Sequence, residues 1–319
     1  MKLNIKKLFS EYNIVLVILL IAVIGFAYVP YFGKPTNLYK LLADLSMFGI
    51  VSIGMTFLLI SGEVDLSLGM SVAFATIMSS LVGSAWGGFW GLLVAILLCM
   101  AVALVNAILV TRIRMSSLIA SIAMMTALTG VCYMLGHGKT VPNNSAFLRE
   151  LYTYKLFGLR FLQLPVVVFV ICLVVFGILL HRTRFGTSVF VAGGNAEAGY
   201  TAGINIGRTK LICFLIGGFC AGITGVFLAS YVYAGSVSYG EGLNVTIISA
   251  CVLGGTKFTG GKGGIIRTLL GIAVVRSIIN ITSLLSFDAW AQNIVTGALL
   301  LIVLIIDRYT RVQRLEDAS

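Results

Sequence analysis

Long apolar runs dominate this chain of 319 residues and leave it few ways to fold. Hydrophobic residues make up 59% of the sequence and charged residues 10%, and the mean hydropathy is +1.05. A water-soluble globule needs more polar surface than this composition supplies. In lipid only helices or closed barrels satisfy every backbone group, and runs such as 164–180 and 299–306 lack the alternation of barrel strands. The sequence therefore predicts an all-α, polytopic membrane helix bundle.

The apolar runs predict about ten transmembrane helices, because one crossing takes about 20 residues. We place them at residues 14–31, 41–60, 66–83, 88–110, 115–135, 164–180, 211–234, 243–254, 265–285 and 290–306, the eighth being short. With the N-terminus inside, 15 of the 22 Lys and Arg residues lie on the inner side and six on the outer side. This bias predicts that both termini are cytoplasmic. The whole chain, 1–319, is expected to form one transmembrane domain.

Several classes of function are excluded by composition and spacing. The net charge of +11 is spread singly or in small groups beside apolar runs, where basic residues orient helices, so we expect no nucleic-acid partner. All six cysteines lie inside apolar runs, and none forms a Cys-x-x-Cys pair. We therefore interpret them as small hydrophobic residues. The two histidines lie far apart, and no cluster suits catalysis or metal binding. We expect no catalytic residue, no metal and no bound cofactor.

Three polar interruptions break the apolar runs, at 61–67, 193–198 and 253–261. The first contains Ser61, Gly62, Glu63, Asp65 and Ser67. Asp65 can cap the third helix while Glu63 is hydrated at the interface. Alternatively, this break lies beside a translocation path, where small and polar residues let a helix bend next to a hydrated cavity.

The second interruption lies in the longest inner connection, 181–210. Asn195 can cap a short helix, and Gly203 can end it in the left-handed conformation, so we expect a helix of about two turns on the cytoplasmic face. Such a helix can dock into a partner protein, which the pair Gly193 and Gly194 and the terminating glycine favour. Alternatively, it rests on lipid headgroups, which the basic flanks, among them Arg208, also fit.

The third interruption resembles a phosphate-binding loop but fails its pattern, which needs glycine at Thr256 and Ser or Thr at Gly263. What remains, around Gly254 and Gly255, is a glycine-rich turn between the eighth and ninth helices, either a plain reversal or the flexible lip of a gate. No ATP site is expected in this chain.

Arg276 is expected near mid-membrane, because it lies about 13 Å along a helix from Arg267. A charge there needs a partner or water. Asn280 is one turn away on the same face. Arg276 therefore either makes a structural bond, to a backbone carbonyl or to Asp44, or faces an aqueous cavity together with Asn280.

Ordered motifs across the chain resemble a known family. They are GGNAEAGYTAGI at 193–204, GEVDLS at 62–67, ISACVLGG at 248–255 and DRY at 307–309. Together they are similar to permease subunits of ATP-binding-cassette importers for ribose, arabinose, xylose and related sugars, over about residues 41–309. Glu63 departs from the commoner glycine of that family, although arabinose-like members carry acidic residues there. Asn244 replaces a glutamate that many members carry.

The resemblance implies a non-catalytic permease that moves a monosaccharide, pentose or similar, across the bacterial cytoplasmic membrane by ATP-driven alternating access. The implied partners are a second permease subunit, identical or homologous, a cytoplasmic ATPase that uses ATP and Mg²⁺, and an extracytoplasmic sugar-binding protein. The residues expected to couple to the ATPase are Gly193, Gly194, Asn195, Glu197, Ala198, Gly203 and Arg208. Those expected at the path or its gate are Ser61, Gly62, Glu63, Asp65, Ser67, Asn244, Gly254, Gly255, Arg276 and Asn280. The alternatives are an importer of nucleosides or furanosyl signalling molecules, and an ion-coupled secondary transporter, which usually needs titratable groups within its spans.

Overall fold

The described part of the chain is almost entirely helical. The computed structural model describes residues 5–159, 161–288, 290–292, 294–295, 297–298 and 301, with side chains from residue 14 onward. The helices are α1 (Ile5–Tyr28), α2 (Pro35–Ile60), α3 (Leu68–Trp86), α4 (Gly88–Thr111), α5 (Ser117–Gly136), α6 (Ala146–Leu151), α7 (Leu164–Arg182), α8 (Arg184–Gly194), α9 (Ala196–Thr201), α10 (Ile206–Val232), α11 (Leu243–Leu253) and α12 (Ile265–Leu284). One antiparallel pair joins β1 (Val141–Pro142) to β2 (Ala234–Gly235).

Seven of these helices are long and apolar enough to cross a membrane: α2, α3, α4, α5, α7, α10 and α12. α1 carries a shorter apolar part, Ile14–Tyr28, and α11 is also short. The all-α polytopic bundle is thereby confirmed. The count of ten spans and the cytoplasmic termini stay predictions, since most of the predicted helix 290–306 and the motif 307–309 lie outside the described residues.

α2 is the central helix of the bundle. Every residue from Ser46 to Ser61 is buried, as expected for a helix that is apolar on all sides. α10 packs against it where Gly54 meets Gly217, so closely that a Cβ on Gly54 would stand 2.8 Å from the Gly217 Cα. Gly218 and Gly222, four residues apart, form a small-residue face that brings α10 close to α4. α2 and α10 thus form the core around which the other helices are arranged.

One end of the bundle carries Arg112, Arg182 and Arg208, and we call it the basic end. α4 ends there at Thr111, which lies beside Gly207 in the first turn of α10. The other end carries residues 137–163, which include the short helix α6.

The start of α3 differs from the expectation. The helix begins at Leu68, with Ser67 at the N-cap position, so the prediction that Asp65 caps it was wrong. Leu68 contacts Gly217, which in turn contacts Gly54 of α2. Gly54 lies six residues, or about 9 Å, before the end of α2. Residues 62–67 therefore run back into the bundle in non-helical form, and α3 begins inside it rather than at its surface.

Candidate functional site

The three polar interruptions of the sequence meet at the basic end of the bundle. The backbone N–H of Gly261 donates to the carbonyl of Ile60, at the end of α2, over 2.8 Å. Gly193 of α8 lies against that carbonyl and against the amide nitrogens of Gly62 and Gly261. Gly260 completes the contact, because a Cβ there would stand 2.9 Å from the Cα atoms of both Gly62 and Gly193. We call Gly62, Gly193, Gly260 and Gly261 the glycine junction.

Two different physical reasons place glycine in this junction. Gly62, Gly260 and Gly261 have φ values of 81°, 80° and 72°, in the left-handed region that other residues rarely adopt. Gly193 has helical dihedral angles, so its conformation does not require glycine. Glycine is needed there because a Cβ would overlap the Ile60 carbonyl oxygen. The junction therefore joins three distant segments backbone to backbone, with no side chain between them to absorb movement.

The connection 181–210 is a sequence of short capped helices. The Thr183 hydroxyl accepts from the Gly186 N–H over 3.2 Å and begins α8. The Asn195 side chain accepts from the Ala198 N–H over 3.0 Å and begins α9. α9 spans six residues, and Gly203 follows it with φ +76°. The cap at Asn195, the short helix and the left-handed glycine are thus present as predicted.

Two features of this connection differ from the sequence prediction. α8 occupies residues that were predicted to be a connection, because this helix of 11 residues is too short to span a membrane and contains three glycines. α10 begins at Ile206 rather than at residue 211, with Asn205 as its cap, so Arg208 lies in its first turn. The connection is consequently almost entirely helical.

α9 projects from the bundle on one side and packs on the other. Gly199 is buried against Val191 of α8 and Ile206 of α10. Glu197 is exposed, and Tyr200 is 65% exposed although it is a large aromatic residue. Tyr200 was not among the predicted coupling residues, and its only signal in the sequence is its place in the capped helix. An exposed aromatic on a rigid projection is typical of a contact with another protein.

A buried ion pair links the first interruption to the start of α10. The Lys210 ammonium donates to the Glu63 carboxylate, and their side chains are 22% and 10% exposed. Glu63 is therefore paired and buried, in contrast to the hydrated side chain that one interpretation expected. Removing one member of such a pair leaves an uncompensated charge, which is strongly destabilising.

Asp65 lies in a buried polar cluster with two other side chains. Its carboxylate accepts from the Ser67 N–H over 2.8 Å and from the Ser67 hydroxyl over 2.6 Å. The Asn106 amide of α4 donates to the Ser67 hydroxyl over 2.9 Å and to Asp65 over 3.3 Å. This cluster holds the non-helical segment against α4. No local pattern in the sequence connects Asn106 to Asp65, which lies 41 residues away.

The remaining predicted path residues lie at the two ends of α11 and near the other end of the bundle. Gly254 ends α11 in close contact with the backbone of Arg267 and Thr268 of α12. Gly255 follows with φ +84° and confirms the expected turn. Asn244, at the start of α11, contacts the Met125 sulfur of α5 over 3.7 Å. α11 thus separates Asn244 from the glycine junction.

Arg276 and Asn280 belong to a second polar group, between α12 and α2. Arg276 donates from Nε and Nη2 to the two carboxylate oxygens of Asp44, over 2.6 and 2.7 Å. Its guanidinium also lies 3.9 Å from the centre of the Phe48 ring. The side-chain amides of Asn280 and Asn37 exchange hydrogen bonds of 3.0 Å. Arg276 therefore makes the bond to Asp44 that one interpretation anticipated, and exposure of this group to the path stays a prediction.

Among the described residues, no group of three or more His, Cys, Asp or Glu side chains is arranged to bind a metal ion. The six cysteines are all free and buried. The polar clusters of this chain consist of ion pairs and hydrogen bonds between helices. Such contacts suit the relative positioning of helices.

The chain is similar over most of its length to known transport proteins. Residues 37–304 match the family model for the branched-chain amino acid transport system / permease component. The L-arabinose ABC transporter permease protein of Azospirillum brasilense is 35% identical, over 97% of this chain and 90% of its own. The L-arabinose transport system permease protein of Escherichia coli (strain K12) is 33% identical, over 95% and 92%. The ribose import permease protein of Bacillus subtilis (strain 168) is 28% identical, over 88% and 87%. No solved structure matches the chain significantly.

These comparisons confirm the family that the motifs indicated. The matches extend through α2 to α12, so they include the glycine junction and the capped helices between α7 and α10. The chain therefore belongs to the permease components of ATP-binding-cassette transporters, the family that includes the arabinose and ribose import permeases, and is a non-catalytic, multi-pass subunit of the inner membrane.

Proposed function

We propose that this permease imports a pentose or similar monosaccharide, delivered by an extracytoplasmic binding protein and driven by a separate ATPase. Relatives named for arabinose and ribose support the substrate class. The observation that carries the mechanism is the glycine junction, which attaches the projecting connection 181–210 directly to the end of α2. Because backbone contacts backbone in this junction, a displacement of the connection also displaces the end of α2.

The connection 181–210 is the coupling loop in this proposal, within a single transmembrane domain that spans 1–319. Asn195 and Gly203 define the two ends of its projecting helix. Glu197 and Ala198 form the exposed surface that binds the ATPase, and Tyr200 adds an exposed aromatic side chain to it. Gly193, Gly194 and Arg208 support this helix from its two sides. ATP and Mg²⁺ bind to the ATPase, and this chain binds no cofactor.

Movement of the coupling loop would reach the membrane helices by two routes. The glycine junction links α8 to the end of α2 and to the turn before α12, and the Glu63–Lys210 pair links the start of α10 to the segment before α3. Both routes lead to helices whose other ends lie across the membrane. Ser61, Gly62, Asp65 and Ser67 would then change position when the path alternates between outward-open and inward-open states.

The complete transporter in this proposal has two permease subunits, identical or homologous, with the translocation path between them. Path residues expected at the gate are Asn244, Gly254, Gly255, Arg276 and Asn280 together with the first interruption. An importer of nucleosides or furanosyl molecules would use the same architecture with a different binding protein. An ion-coupled transporter would need no coupling loop, which is why the junction favours an ATP-driven mechanism.

Reconstitution of the permease with its ATPase and binding protein in proteoliposomes tests the proposal. We expect uptake of L-arabinose or D-ribose that requires ATP and the binding protein, and that stops with an ATPase variant unable to hydrolyse ATP. Uptake driven by a proton or sodium gradient without ATP would refute the mechanism. Heat stabilisation of the binding protein by candidate solutes identifies the substrate, and stabilisation by nucleosides alone would refute the choice of a pentose.

A further inference from the structure

The segment between α10 and α11, residues 233–242, runs along α3 instead of crossing the end of the bundle. Gly235 packs on the backbone of Thr76 and Ile77, at the middle of α3. Gly240 packs on the carbonyl of Gly69 and the side chain of Ala73, near the start of α3. The segment therefore follows α3 over eight residues, or about 12 Å. We call residues 233–242 the re-entrant segment.

The length of α11 places the far end of this segment near the bilayer midplane. α11 has 11 residues, about 16 Å, and it ends beside the glycine junction, where Gly263 contacts Ile60 and Thr256. Glu241 precedes α11 and thus lies about half of the roughly 30 Å hydrocarbon thickness away from the basic end. It is exposed, as is Ser238.

Lipid cannot cover this surface. The backbone is irregular, with a short strand at 234–235, a single 3₁₀ turn at 237–239 and Gly242 in the left-handed conformation. In hydrocarbon such backbone is tolerated only where protein buries it or where it lines a water-filled cavity. An exposed carboxylate at this depth has the same requirement. Among the described residues, no Lys or Arg forms an ion pair with Glu241.

We propose that the re-entrant segment forms the mid-membrane constriction of the translocation path, with Ser238 and Glu241 facing the passing solute. A carboxylate accepts hydrogen bonds from hydroxyl groups, and a serine hydroxyl both donates and accepts, so the pair suits a neutral polyhydroxylated solute. Asn244, one helical turn away and half-buried beside Met125, adds an amide to the same surface. The choice of a sugar rests on the proposed function, whereas the position of the path does not.

Thiol accessibility in the assembled transporter tests this assignment. Ser238→Cys and Glu241→Cys are compared with Val174→Cys, which lies at the middle of the apolar exposed face of α7. The wild-type chain supplies the background, since its six cysteines are buried. A charged methanethiosulfonate reagent, applied to both sides of the membrane, should modify positions 238 and 241 at least about tenfold faster than position 174, because a thiol in apolar surroundings holds little thiolate.

The outcomes separate the position of the path from the identity of the solute. Modification of Ser238→Cys and Glu241→Cys no faster than of Val174→Cys overturns the proposal. If Glu241→Cys fails to assemble, the nearly isosteric Ser238→Cys decides alone. Fast modification that the pentose-loaded binding protein slows supports both the path and the sugar. Fast modification that no pentose slows supports the path and contradicts the substrate assigned under the proposed function.

Discussion

The sharpest test of the glycine junction is Gly193→Ala, with the adjacent Gly194→Ala as its matched control. A Cβ at position 193 would overlap the Ile60 carbonyl oxygen and stand 2.8 Å from the amide nitrogens of Gly62 and Gly261. All three are backbone atoms, which cannot rotate away. At position 194 the nearest atom to a new Cβ is the Gly261 Cα at 3.6 Å, an ordinary contact. The two substitutions add the same methyl group to the same turn of α8.

The cost at position 193 follows from these contacts. To make room, the Ile60 carbonyl must move away from α8, which breaks the hydrogen bond that it accepts from the Gly261 N–H, worth about 1 kcal/mol net. Overpacking against fixed backbone adds about 1–3 kcal/mol. Alanine regains up to about 1 kcal/mol of helix propensity at both positions. We therefore expect a net loss of about 1–3 kcal/mol for Gly193→Ala and no loss for Gly194→Ala.

The loss expected for Gly193→Ala is tested by measuring uptake and ATP hydrolysis together in proteoliposomes. If the junction transmits the movement of the ATPase, a loss of about 1–3 kcal/mol in coupling lowers uptake by about 5- to 150-fold. Hydrolysis should persist, because the exposed surface of α9 is unchanged. Gly194→Ala should keep the wild-type ratio of uptake to hydrolysis. The same ratio in both variants would refute the role of the junction.

Three further sets of substitutions test the other contacts. Glu63→Gln and Lys210→Met should each destabilise the protein by about 1–3 kcal/mol, a value reduced for partial exposure, and a double-mutant cycle of thermal unfolding should show favourable coupling between them; additive effects would contradict the pair. Asn195→Ala should weaken binding of the ATPase through loss of a cap worth about 1 kcal/mol, measured by titration of the ATPase into the purified permease, and unchanged affinity would contradict that role. Asp44→Asn should lower thermal stability more than Asp44→Asn combined with Arg276→Gln, since the single change leaves a guanidinium unpaired; equal stability of the two variants would show that the ion pair contributes little.

Most helices of this fold could be predicted from the sequence, because their formation depends on residues close together in the chain. Apolar runs of membrane-spanning length produce the long helices, and the Asn195 cap acts on an N–H only three residues away. The exceptions are α8, whose glycines weaken the helical pattern, and the start of α3, where a buried polar cluster with Asn106 overrides the local capping signal of Asp65. The second exception arises from a contact with another helix, because Asn106 belongs to α4.

The amino-acid sequence by itself determined that this chain is a helical membrane protein, that three polar interruptions break its apolar runs, and which transporter family it resembles. Only the tertiary structure decided that the interruptions meet, that Glu63 pairs with Lys210 across 147 residues, and that Arg276 pairs with Asp44 across 232. It also brought the segment before α11, which the sequence presents as an ordinary connection, against the first half of α3. The physical reason is that periodicity and capping act within a few residues, whereas these contacts depend on how deeply and at what angle whole helices pack.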